Sequence, residues 1–269
     1  MSQPCLYFFR NQIHFLKESF IIDNEELLNE FNSSVEQFCY FTLEMDKIID
    51  NDYDYSQPDE PDKNIPYLAT KSHLEAVKGL SKIFPEEHLF WKILDEHSLQ
   101  YYSALLKEKQ NAEQQLPLSL QHFEEYAINK HSLAYVPILG LDFLFTSTHP
   151  VDILKDIHSC IFKGIQMNDD IEDLQSDTTH NQWTYARSRV QDFIQTHALS
   201  NTHNLERFEE RVLYISGIAT ELSLYSRENF ARARNRAHEF KLQNITLWLD
   251  GILTHMDENI QLIESLIKN

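Results

Sequence analysis

Apolar residues recur along this chain at three- and four-residue intervals almost throughout, and no stretch alternates as a half-buried strand does. The pattern predicts about ten helices. A first covers roughly 4–20. Asp23-x-x-Glu26 reads as a capping box opening a second helix toward Asp50, interrupted near Asn32-Ser33-Ser34. Residues 51–66, rich in proline and acidic side chains, read as a loop and a candidate flap. Further helices are expected over 67–83, 87–113, 117–129 and 131–146, with Pro137 and Gly140 permitting a kink in the last. Thr148-His149-Pro150 looks like a helix start and leads into a long helix through the 160s and 170s. Helices over 182–198, about 203–239 and 243–267 complete the chain. In the final one Trp248, Ile252, Met256, Ile260, Ile263 and Ile267 make one apolar stripe. No repeat, low-complexity tract or linker divides the sequence. Residues 1–269 are therefore expected to form a single all-α domain, a helical bundle around one core.

Two places in this pattern carry acids on otherwise apolar helices. From Ile161 to Tyr185 the chain reads I-F-K-G-I-Q-M-N-D-D-I-E-D-L-Q-S-D-T-T-H-N-Q-W-T-Y. On a single helix Asp169, Asp173 and Asp177 stand at i, i+4 and i+8, down one stripe, while Gln166 lies one turn before Asp170. Like charges so spaced oppose a helix by roughly 0.2–0.5 kcal/mol per pair. Such a stripe is either solvated or used to hold cations. The second place is F-T-L-E-M-D-K-I-I-D, residues 41–50, where Asp46 and Asp50 are again one turn apart. Their helix shows Phe38, Phe41, Met45, Ile48 and Ile49 as its apolar face, and Asp52 and Asp54 follow its end. Two helices, each ending in stacked carboxylates, can form two walls of one cavity. Hard oxygen ligands of this kind suit Mg²⁺, which bridges a few carboxylates to substrate phosphates.

Gln166-Met-Asn-Asp169-Asp170-Ile-Glu-Asp173 resembles the Q-x-x-D-D-I-x-D second aspartate-rich motif of trans-isoprenyl diphosphate synthases. The longer run through Thr184-Tyr185 is similar to bacterial class I isoprenoid biosynthesis enzymes, and the likeness is sharpest over 163–185. The resemblance implies a class I terpenoid synthase bundle around a central cavity and a three-magnesium cluster. Its ligands would be Asp46 and Asp50 on one side and Asp169, Asp170 and Asp173 on the other, with Asp177 in support. The first motif departs from the family's D-D-x-x-D, because Glu44-Met45 precedes Asp46. Nothing between Met1 and Lys47 matches the G-G-K-x-x-R element of chain-elongating synthases, and no asparagine-serine-glutamate triad of terpene cyclases is present. The expected activity is that of a Mg²⁺-dependent terpene synthase ionising an allylic prenyl diphosphate. A prenyltransferase is the alternative, and a noncatalytic prenyl-diphosphate scaffold the second.

Composition narrows the partners. The formal net charge of −19 excludes nonspecific nucleic-acid binding, since phosphate backbones need a basic surface. It also leaves local cations as the only protein partners for a diphosphate. Lys163 and Arg187 lie near the motif, and Arg227 shares a helix face with Arg234, seven residues on. Arginine's fork suits bidentate phosphate contacts. Gln166 and Tyr185 complete the expected substrate contacts, while Phe38, Phe41, Tyr101, Phe143 and Tyr225 could line a cavity for the hydrocarbon and its carbocation. No E-x-x-H pair of a di-iron bundle and no His-Asp dyad occurs. Three scattered cysteines, Cys5, Cys39 and Cys160, fit a reducing compartment, and no run reaches membrane length, so a cytoplasmic protein is expected. A homodimer is compatible with these features but not required by them.

Overall fold

The structure, a computed structural model, describes residues 3–50, 53, 56, 59–201 and 204–268, with side chains over 6–265. In chain order the elements are α1 (Gln3–Arg10), α2 (Gln12–Leu16), β1 (Phe20–Ile21), α3 (Glu25–Asp50), α4 (Ile65–Ile83), α5 (Leu89–Gln114), α6 (Leu120–Lys130) and α7 (Val136–Leu144). There follow β2 (Thr146–Ser147), α8 (Val151–Glu172), α9 (Leu174–Thr179), α10 (Tyr185–Thr196), α11 (Phe208–Ile215), α12 (Ile218–Glu239) and α13 (Gln243–Lys268). The fold is an all-α helical bundle. Among the described residues the only strands are β1 and β2, which pair antiparallel with Phe20 opposite Ser147 and Ile21 opposite Thr146.

The chain folds as two compact units. One comprises Leu6–Glu96 and Val136–Val151; the other comprises Met1–Cys5, His97–Tyr135 and Asp152–Asn269. In the first, α3 runs unbroken where an interruption was expected. Asn24, not Asp23, takes the capping position, its Oδ1 accepting the Leu27 N–H at 3.0 Å. Within the Asn32-Ser33-Ser34 stretch the Ser34 hydroxyl donates to the Glu30 carbonyl one turn back at 3.0 Å. Phe31 anchors this unit's core edge-on to Phe84 and Phe90, whose rings stack with centroids 4.0 Å apart.

The second unit is built around α8. Leu154, Ile157, Ile161 and Ile165 recur at helical spacing and are buried. Gly164 lets α12 approach closely, because a Cβ there would lie 2.8 Å from the Phe230 ring. The Ser226 hydroxyl fixes the same crossing by donating to the Gly164 carbonyl at 2.7 Å. Further along, Met167, Ile171 and Leu174 join Phe123, Tyr185, Val190, Leu213 and Leu222 in one apolar cluster. This burial holds the C-terminal part of α8 in a helix despite its acids.

Two expected helices are each two. The motif helix breaks at Asp173, which stands between α8 and α9 with φ −95° and ψ 6°. The helix expected over 203–239 is interrupted at Ser216-Gly217, where Gly217 takes φ +84°, a region open to glycine without steric cost. Among the described residues no helix is long and apolar enough to cross a membrane.

Candidate functional site

The motif's aspartates divide into two kinds. Asp169 and Asp173 are half-buried and lie one turn apart, with the Asp173 N–H donating to the Asp169 carbonyl at 2.9 Å. Asp177 continues this backbone ladder, its N–H bonded to the Asp173 carbonyl at 2.8 Å, and is buried. Asp170 and Asp177 are 3% and 6% exposed. Asp170 Oδ1 accepts from Gln166 Nε2 at 2.8 Å, and its Oδ2 accepts the Tyr185 backbone N–H at 3.1 Å. Asp177 Oδ2 accepts from the Thr184 hydroxyl at 3.1 Å, and its carbonyl accepts the Gln182 N–H at 2.7 Å.

Burial dominates the chemistry of these two acids. It pushes Asp170 up to about 7, against the hydrogen bond from Gln166 and with the help of neighbouring Asp169. Burial likewise pushes Asp177 up to about 8, reinforced by Asp170 and opposed by the Thr184 hydrogen bond. Beside Asp170 is a cavity of about 40 Å³, lined by Glu108, His122, Tyr126, Trp183 and Tyr185 among others, room for about one water. Glu108 is itself buried. It accepts from the Tyr126 hydroxyl at 2.5 Å and has Lys130 Nζ at 3.9 Å. Sequence reasoning missed this Glu108–Tyr126–Lys130 group, because its members are spread over α5 and α6 with no spacing to tie them together.

The basic candidates are committed to protein partners. Lys163 donates to Glu124 Oε2 at 3.1 Å, while the Tyr225 hydroxyl takes Oε1 of the same carboxylate at 2.6 Å. Arg187 is buried. It donates to the Gln182 carbonyl at 2.6 Å and to Glu209 at 3.4 Å, and its guanidinium lies 5.4 Å from the Trp183 ring centre. Arg227 forms a two-pronged pair with Asp257, one prong at 3.1 Å, and Arg234 reaches Asp250 at 2.7 Å. The face that Arg227 and Arg234 share is therefore the seam between α12 and α13, with rungs seven residues apart on both helices.

In the first unit, Phe38 and Phe41 lie 5.6 Å apart, and Phe41 is 4.7 Å from His73 of α4, so the pair packs into the α3–α4 interface. Asp46 and Asp50 lie half-buried near the end of α3. Asp52 and Asp54 fall outside the described residues, as does part of the 51–66 loop. Of the remaining aromatic candidates, Tyr101 is buried and Phe143 is exposed, edge-on to His88 at 4.9 Å. Cys39 and Cys160 are free and half-buried, and burial pushes the Cys39 thiol up to about 11.

No protein-family model matches the chain, and no curated protein matches it. Among the described residues no group of three or more His, Cys, Asp or Glu side chains is gathered so as to hold a metal ion. Two carboxylates a turn apart nevertheless fit magnesium's habit, since Mg²⁺ keeps several waters and uses one or two carboxylates plus substrate phosphates.

Proposed function

We propose that the chain is a class I isoprenoid enzyme of the terpene synthase kind, releasing diphosphate from an allylic prenyl diphosphate with Mg²⁺. One observation carries this reading. Asp169 and Asp173 stand a single turn apart at the end of α8, a helix with half of its residues buried. That arrangement has little value as a solvated surface and obvious value as a pair of oxygen ligands. Asp169 and Asp173 would hold the metal, with oxygens of the substrate's diphosphate and water completing its shell. When bound, magnesium supplies Lewis-acid neutralisation of the charge that develops on the leaving group. Because the protein contributes so few ligands, metal affinity is expected to depend on the diphosphate. Free Mg²⁺ should bind weakly, and Mg²⁺ with pyrophosphate should bind well.

Incubation with farnesyl or geranylgeranyl diphosphate and Mg²⁺, with and without isopentenyl diphosphate, tests the reading by mass spectrometry of the products. Terpene hydrocarbons or alcohols formed without isopentenyl diphosphate are expected. Longer diphosphates formed only in its presence would make the protein a prenyltransferase. Prenyl diphosphate bound but never cleaved would make it a scaffold.

A further inference from the structure

We infer that Asp170 and Asp177 are positioning residues, a two-point clamp on the start of α10, and that within the motif only Asp169 and Asp173 act as ligands. The clamp half of this inference stands on geometry alone; the ligand half rests on the function proposed above.

The geometry of α8 separates the neighbours. Successive residues of an α-helix point about 100° apart, so Asp169 and Asp170 address different surroundings. Both oxygens of Asp170 are engaged by groups of the protein, one by Gln166 and one by the Tyr185 N–H. That N–H belongs to the first residue of α10, one of the donors a helix leaves unsatisfied. The residue at the capping position, Thr184, makes no side-chain cap of its own. Its hydroxyl is directed instead to Asp177. α8 therefore supplies from outside the acceptor that α10 lacks, where the helix dipole also favours a carboxylate.

The link between α9 and α10 is tied along its length. The Gln182 N–H goes to the Asp177 carbonyl, the Gln182 carbonyl accepts from Arg187, and Trp183 Nε1 donates to the Leu116 carbonyl at 2.8 Å. The Leu118 N–H donates to the Ser188 hydroxyl at 2.9 Å. These bonds account for a hydroxyl residue at 184, whereas the bond from position 185 uses only the backbone N–H. Thr184 and Tyr185 are the clamp's other jaw, and they fix α10 to the α8–α9 segment that bears Asp169 and Asp173.

The test compares variants by amide exchange over 182–190 and by the rise in melting temperature produced by Mg²⁺ with inorganic pyrophosphate. Asp169→Asn is expected to abolish the pyrophosphate effect and leave exchange unchanged. Asp170→Asn is expected to retain both, because asparagine can still accept the Tyr185 N–H once the Gln166 amide turns over. Asp170→Ala should speed exchange at Tyr185 about tenfold, the loss expected for one buried hydrogen bond. Thr184→Val should do likewise, and Thr184→Ser should restore protection.

Loss of the pyrophosphate effect in D170N with exchange still slow would make Asp170 a ligand and overturn the assignment. Unchanged exchange in both D170A and T184V would overturn the clamp. A wild-type protein with no pyrophosphate effect would refute the proposed function and the ligand half together, while the exchange results still decide the clamp.

Discussion

The acids that clamp α10 should make the metal-free protein lose stability as pH rises. In the unfolded chain Asp170 and Asp177 ionise near 3.8, but in the fold burial holds them protonated up to about 7 and about 8. Between those limits the folded state binds more protons than the unfolded state, so stability falls with increasing pH. It is fully present below about pH 4, declines across the interval, and is gone once pH has passed through 7 and 8. Each tenfold change in proton affinity is worth about 1.4 kcal/mol. For Asp170 alone, a move from 3.8 to about 7 corresponds to on the order of 4 kcal/mol at pH 8. The net charge of −19 adds self-repulsion over the same range, so the wild-type slope alone does not identify its source. Asp170→Asn removes the titrating group while keeping its shape. Urea midpoints measured in chelator at pH 5, 6, 7 and 8 should fall for both proteins, because Asp177 still titrates in D170N, but less steeply for D170N, with the curves separating between pH 5 and 7 and running parallel above. A D170N profile parallel to wild type between pH 5 and 7, or a wild type that gains stability from pH 5 to 8, would refute the reasoning.

Further expectations are more local. Gly164→Ala should cost about 1–3 kcal/mol in urea unfolding, since its methyl would press on the Phe230 ring; Phe230→Leu in the same chain should recover part of that loss. Arg227→Gln removes a solvent-exposed rung between α12 and α13 and should cost no more than about 1 kcal/mol, with diphosphate release unchanged. A large fall in release rate for that variant would return Arg227 to the substrate. The resemblance read from the sequence implies that Asp46 and Asp50 would take part in the chemistry beside Asp169 and Asp173, an expectation that mutation tests. Asp46→Asn with Asp50→Asn should then slow release about 10²–10³-fold, and an unchanged rate would confine the chemistry to α8.

Much of the helical order was legible because it rests on local periodicity. Thr148-His149-Pro150 marked the start of α8 at Val151, while the loop expected over 51–66 falls partly outside the described residues and gives way to α4 at Ile65. What escaped depends on partners remote in sequence. The β1–β2 pair joins two-residue segments more than a hundred positions apart, too short to alternate visibly. Asn32-Ser33-Ser34 predicts an interruption, yet the Ser34 hydroxyl bonds back within its own helix. Within the site, spacing found the aspartates but gave each the same role. Nothing in i, i+4 arithmetic shows that α10 returns to offer Asp170 a backbone N–H, or that Thr184 lies within reach of Asp177. The arginines illustrate the same limit. Arg227 and Arg234 were correctly placed on one face, but only the structure shows that face packed along α13.

The most direct test of the central claim is the rate of diphosphate release from farnesyl diphosphate, followed with and without Mg²⁺ in wild type and in Asp169→Asn. Release that needs Mg²⁺ and falls about 10²–10³-fold in the variant is the predicted result. Release that persists in chelator, or that proceeds equally in both proteins, would contradict it.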